Sequence, residues 1–269
     1  MLERRSGGYA MALQAREVVD RFFSIRLGVS LADLRPREVA AASCDRRTYA
    51  ERGYGFVRLL WVLHFGDRAA VSVHPGALAE VARLAWIRSP EQVLADEFVL
   101  QARQAVQSAL AGCSLKPTED GVILYHPGRA GRVRTQARVR VISPEDEDTW
   151  VGERLFMRAA EHASARRGEA FGLFLGEHMV AEVVTQEPSV SEMAGLVAED
   201  GIEVSEADRG CGYGKALLAH WTREMQARGR VCVHSTAARN EASIRLAESL
   251  GYIGYARARS VVCSPREAD

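Results

Sequence analysis

The chain has 269 residues, 47% of them hydrophobic and 26% charged, which is enough apolar material for one large domain or two small ones. Its 35 basic and 35 acidic residues cancel, excluding the global positive field that holds nucleic acid and any acidic interaction tail. Five scattered cysteines show no C-x-x-C spacing, the seven histidines form no H-E-x-x-H, and no apolar run reaches about 18 residues, so we expect free thiols, no metal and no transmembrane helix in a cytoplasmic protein.

In chain order, residues 15–28 carry Val18, Val19, Phe22 and Phe23 at helical spacing. Two strand-like runs, 56–65 and 68–74, meet at Gly66-Asp67 as a hairpin. Pro75 opens a helix bearing Leu78, Val81, Ala82 and Ala85 on one face, and Ser89-Pro90 predicts the cap and first position of another. Residues 121–126 read as a strand. The stretch HPGRAGR, 126–132, reads as a linker, since no helical pattern follows it as a phosphate loop would require. The expected division is therefore a smaller α+β domain over 1–130 and a second domain over 131–265.

The second part is more sharply patterned. Residues 132–143 read as a strand whose alternating arginines form a solvated face. Ser143-Pro144-Glu145-Asp146 predicts a helix start, and Arg167-Gly168 its end. A hairpin turning at Gly176-Glu177 follows, then residues 193–205 as one long strand, or two with a bend at Asp200-Gly201. After a glycine-rich loop comes a helix with Leu217, Leu218, Trp221 and Met225 inward. A strand at 231–235, a short helix at 240–250 and a last strand complete the chain. The strands on either side of the Trp221 helix form a β-α-β unit, so they are expected to be parallel. The fold class is α/β, with a mixed sheet.

The glycine loop is the chemical centre of this pattern. A strand entering glycines and then a helix offers free amides and the positive end of a helix dipole to an anion. The P-loop pattern fails, because Lys215 precedes Ala216 and Arg209 stands where its first glycine belongs. The dinucleotide pattern fails because position 215 is not glycine. The run Arg209-Gly210-Cys211-Gly212-Tyr213-Gly214 fits [QR]-x-x-G-x-[GA] in full.

That motif, with the later run NEASIRLAESLGY and the earlier VRVISPEDEDTW, resembles the GNAT superfamily of GCN5-related N-acetyltransferases, over roughly residues 135–262 and in the subset with an N-terminal extension. The resemblance implies acetyl-CoA as acyl donor. It implies that Ile202 and Val204 offer backbone to the pantetheine arm, that Arg209, Gly210, Cys211, Gly212, Tyr213 and Gly214 hold the pyrophosphate with Lys215 at the helix start, and that Asn240 touches the cofactor arm. It also implies that the strands near Val204 and Cys232 part to admit the thioester. The tyrosine that many members use to protonate the leaving thiolate falls at Ala247; water or Tyr252 are the substitutes in view. The N-terminal half lies outside the resemblance: it shapes the acceptor site, forms a homodimer contact, or is a degenerate copy of the same fold.

An amine acceptor is protonated at neutral pH, so transfer needs a base. Glu199, Asp200 and Glu203 lie on the strand before the loop. Glu199 and Glu203 are the candidate catalytic residues, with Glu203 pointing away from Ile202 and Val204. With Glu192 and Glu206 these acids would suit a cationic small-molecule amine. His234 reads either as a proton-transfer group or as a structural strand-face histidine, and Cys211 as a low-pKa thiol or a loop filler. The function expected is acetyl transfer to a small amine without nucleic acid or membrane; the alternative is a catalytically silent acyl-CoA-binding module.

Overall fold

Helix α1 (Glu3–Leu27) lays Val19, Phe22, Phe23 and Leu27 on a sheet, and their spacing of three to four residues is what keeps them on one side. The structure is a computed structural model and describes residues 3–50, 56–110, 113–143, 146, 163–186 and 190–264. Among these, ten strands form one mixed sheet: β1 (Val39–Ser43), β2 (Val57–Phe65), β3 (Arg68–Val73), β4 (Glu119–Tyr125), β5 (Arg138–Val141), β6 (Ala170–Leu175), β7 (His178–Thr185), β8 (Val197–Val204), β9 (Val231–Ala237) and β10 (Ile253–Cys263).

Their order is β1-β3-β2-β10-β4-β9-β8-β7-β6-β5. Two pairs are parallel, β1/β3 and β8/β9, and the β8/β9 pair is the one the β-α-β pattern requires. The sheet is continuous across residue 130. β4, from before that point, pairs with β9, while β10, from the end of the chain, lies between β2 and β4.

The sheet is covered on both faces, as the alternation along its strands demands. On one face α1 packs over Trp61, Phe65, Tyr125, Val197, Val233 and Tyr255. On the other, α5 (Tyr213–Ala227) and α6 (Glu241–Glu248) cover Leu124, Ala198, Cys232 and Tyr252. Helices α2 (Leu78–Trp86) and α3 (Asp96–Ala109) cover Val62, Val71 and Val261 at the β1 end. A four-residue helix, α4 (Ala163–Arg166), precedes β6 and ends at Gly168, whose φ is +63°. Fully buried aromatic and leucine side chains such as Phe23 and Leu27 contribute about 1.5–3 kcal/mol each.

Three elements depart from expectation. Helix α3 begins at Asp96, not Ser89: a 3-10 turn occupies Gln92–Leu94, and Ala95 is extended (φ −68°, ψ 149°), so the proline-led turn does not propagate. β1 was not foreseen, because VAAAS has a single branched residue, Val39, and no aromatic to mark a strand. β5 is shorter than residues 132–143. The helix expected after Ser143-Pro144 lies for the most part outside the described residues; at its start, the Ser143 amide donates to the Asp146 carboxylate at 2.7 Å.

Candidate active site

Strands β8 and β9 are paired at Val197↔Val231, Ala198↔Cys232 and Glu199↔Val233, and then part. Beyond that point residues 200–204 pair, among the described residues, only with β7, from Asp200 with Thr185 through to Val204 with Ala181. β9 turns to β4, from Val233↔Tyr125 to Ala237↔Gly121. The result is a wedge in the sheet, with one edge of β8 at Ile202 to Val204 that has no strand partner among the described residues, its Val204 carbonyl accepting from Arg209 Nε at 3.4 Å. An extended ligand can use that edge as a missing strand.

At the tip of β8 the chain turns through Glu206–Asp208 into the glycine loop and α5. Gly210 and Gly212 both have φ +81°, a region that costs other L-residues strain, and a Cβ on either would meet nothing within 4 Å. Their conformation, and not crowding, fixes the need for glycine; the space in front of the backbone is open. Gly214 differs: a Cβ there would lie 3.2 Å from Val204 Cγ2 and 3.6 Å from Leu246 Cδ2, so glycine lets α5 start hard against β8 and α6. Gly212, the N-cap, supplies no side-chain cap, so the first-turn amides and the positive end of a 15-residue helix face outward. Arg209 and Cys211 are exposed beside them, and Tyr213 and Lys215 are half-buried at the helix start.

The candidate acids do not converge. Glu199 and Glu203 point to the α1 face and Asp200 to the opposite one, as alternation dictates. Glu199 is buried, paired with Arg26 of α1 at 3.1 Å, and borders a cavity of about 260 Å³ lined also by Phe22, Arg167, Thr185 and Arg230. The Arg26 guanidinium in turn lies 4.5 Å from the Trp61 ring centroid. Glu203 is half-buried and 3.5 Å from the Arg209 guanidinium, so a loop residue and a candidate base are already coupled. Glu192 sits 4.0 Å from Arg46, away from the loop.

Asn240 caps α6: its side chain accepts from the Ser243 amide at 3.2 Å. Ser243, which sequence reasoning did not single out, lies one helical step along and accepts or donates at 2.8 Å to His234 Nε2; His234 Nδ1 is 2.9 Å from the Asp200 carboxylate. Asp200 and His234 are the first residues past the last β8/β9 pair, so their hydrogen bond bridges the root of the wedge. Burial pulls the His234 imidazole down, but the charge and hydrogen bond of Asp200 outweigh it, and the net shift is upward. Ala247, at the place of the expected tyrosine, is fully buried. Tyr252 is also buried, its hydroxyl 2.7 Å from Thr222 Oγ1, and burial pushes it well above the usual phenol range. It is a core residue, closed to the wedge. All five cysteines are free thiols; Cys232 is buried under Thr222 and Cys211 is exposed. Among the described residues no cluster of metal-ligating side chains occurs, and no helix is long and apolar enough to cross a membrane.

Residues 141–252 match the family model described as the acetyltransferase (GNAT) family. No curated protein sequence matches the chain. Among solved structures, a Drosophila protein superposes with a TM-score of 0.50 at 15% identity over 78% of this chain and 76% of its own. A GCN5-related N-acetyltransferase from Sphaerobacter thermophilus gives 0.44 at 16% identity over 75% and 76%. A Salmonella typhimurium protein solved with its cofactor acetyl-CoA gives 0.38 at 17% identity over 50% and 97%. At these identities the likeness is one of fold. The family match spans β5 to α6 and so contains the wedge, the glycine loop and the α6 cap: the C-terminal part of this chain is a GNAT acetyltransferase-family domain, preceded by an N-terminal extension.

Proposed function

We propose that the protein is an N-acetyltransferase that moves an acetyl group from acetyl-CoA to a primary amine of a small molecule by direct attack. The observation that carries this reading is the open, uncapped amide cluster of residues 210–214 at the end of a strand whose edge, past its pairing with β9, lines a wedge. The pyrophosphate sits on the α5 N-terminus with Lys215 beside it. The pantetheine arm runs along Ile202 and Val204 as an added strand, reaching Asn240, and the thioester enters the wedge. The family match supports this choice of ligand.

Of the two candidate bases, Glu203 suits the role better. It is half-buried and its partner, Arg209 at 3.5 Å, is exposed, whereas Glu199 and its partner Arg26 are both buried. A carboxylate that takes the ammonium proton, directly or through water, leaves the neutral amine to attack the thioester carbon. The balanced overall charge favours a small acceptor over a nucleic acid.

A second reading, a silent acyl-CoA-binding module, is favoured by one observation: Ala247 removes the expected acid and Tyr252 is closed off in the core. Calorimetric titration with acetyl-CoA, and separately with ATP and NADH, tests the cofactor site. Binding of acetyl-CoA alone, followed by thiol release with a panel of amines including polyamines and aminoglycosides, supports the enzyme. Binding without thiol release supports the module, and equal binding of ATP rejects both.

A further inference from the structure

The absent tyrosine leaves the departing thiolate without a proton donor, and the wedge contains another. Asn240, Ser243 and Ala247 recur at three and four residues, so they share one face of α6. Ser243, half-buried, stands on that face between the residue expected to touch the cofactor arm and the position of the missing acid. Its hydroxyl lies 2.8 Å from His234 Nε2, so with the imidazole protonated Nε2–H donates to Oγ and the serine's own proton is left for a ligand. His234 is fixed from behind by both oxygens of Asp200, at 3.0 and 2.9 Å.

We propose that Ser243 protonates the coenzyme A thiolate as it leaves, that His234 restores the serine's proton, and that Asp200 positions His234; this rests on the acetyl-CoA reading above. As the amine nitrogen bonds to the acyl carbon, the carbon–sulfur bond breaks and its electron pair stays on sulfur. The Oγ–H proton of Ser243 passes to sulfur and the Nε2–H proton of His234 passes to Oγ. The amine's surplus proton leaves to the base, and His234 takes a proton from water before the next turnover. Ser243 is the catalytic residue of the three; His234 and Asp200 act through it.

The surroundings of His234 suit a proton donor better than a base that would make Ser243 a nucleophile. From β8 it faces Asp200, from α6 Ser243, from the segment after α6 the Tyr252 ring at 6.2 Å between centroids, and on its own strand Cys232 shares its face. Tyr252 and Cys232 are both pushed upward by burial and stay neutral, which leaves Asp200 as the charged partner. The raised imidazole therefore holds two N–H groups to higher pH than usual, one for Asp200 and one for Ser243.

The test compares the full chain with Ser243→Ala, Ser243→Thr and His234→Gln. Acetyl-CoA binding is measured by calorimetry, folding by melting temperature, and thiol release with hydroxylamine, a small acceptor that is uncharged at neutral pH, from about pH 5.5 to 9. We expect Ser243→Ala to bind acetyl-CoA within about twofold of wild type and to lose about 100-fold in kcat. Wild-type kcat should fall as pH rises through the His234 titration; that limb should vanish in Ser243→Ala and His234→Gln and persist in Ser243→Thr. Should His234→Gln not fold, the two Ser243 variants decide alone. Wild-type rate and an intact limb in Ser243→Ala overturn the proposal. So does a wild-type protein that binds acetyl-CoA yet releases no thiol, in which case the cofactor site stands. Absence of acetyl-CoA binding in wild type removes the cofactor reading and this proposal together.

Discussion

The sheet contains two parallel strand pairs, one at its β1 edge and one in its interior, and each has a strand that turns into a helix, yet among the described residues the interior pair is the one that leaves donors for an anion. β1 and β3 stay paired over five residues, from Val39↔Ala69 to Ser43↔Val73, whereas β8 and β9 part after three. At the end of β3, the His74 side chain accepts from the Gly76 amide at 3.0 Å and Pro75 has no N–H to offer. The polypeptide has spent its own donors there. At the end of β8, glycines stand where a cap and a proline would be, so the donors remain for a ligand. A site is made here by withholding the groups that finish an ordinary helix start.

The largest effect should come from uncoupling α1 from β8. Arg26→Met leaves Glu199 buried without its guanidinium and should cost about 3–5 kcal/mol in chemical denaturation, most of it regained when Glu199→Gln is added. If the single variant is as stable as wild type, α1 is not anchored through this pair. Next, Gly212→Asp puts a carboxylate in front of the amides and should weaken acetyl-CoA by at least about 100-fold, while the strained φ costs about 1–2 kcal/mol of stability. Unchanged binding would remove the loop from the cofactor site. Acid should act through Glu169, which is buried among Arg167, Arg228 and Arg230. Burial raises its carboxyl, but the arginine hydrogen bonds and charges outweigh this and lower it. Its contribution is therefore present above the unfolded carboxylate range and lost as pH falls through its lower folded value. Stability profiles of Glu169→Gln and wild type should converge at low pH and separate above it; parallel profiles would contradict the pairing. The smallest effect is His74→Ala, which should cost about 0.5–1 kcal/mol and leave acetyl-CoA binding untouched.

What the sequence made legible was local. The hairpins at Gly66 and Gly176, the glycine loop, and the helix opened by Asn240 are each written within a few consecutive residues. The opposed directions of Glu199 and Asp200 follow from strand period alone. What was hidden depends on partners distant in the chain. Glu199 reads as a base until Arg26, 173 residues earlier, is seen to hold it. Asp200, His234 and Ser243 lie 34 and nine residues apart, on a strand, another strand and a helix, and only the parting of β8 from β9 brings them together. Ser243 carried no signal of its own within a helix start that serine often occupies. β1 was missed for a similar reason, since its alanines become a strand only because β3 offers an edge.

The place of β10 has a consequence for how the molecule comes into being. Among the described residues β2 and β4 meet no sheet partner in common except that strand, which follows the other nine in the chain. Until residues 253–263 emerge from the ribosome, the nascent chain holds two separate sheet fragments, β1-β3-β2 and β4-β9-β8-β7-β6-β5, each with a bare edge facing the other. Strand β10 acts as a keystone, and a chain cut before Ile253 should have the wedge and the loop but no sheet continuity to β1, β2 and β3.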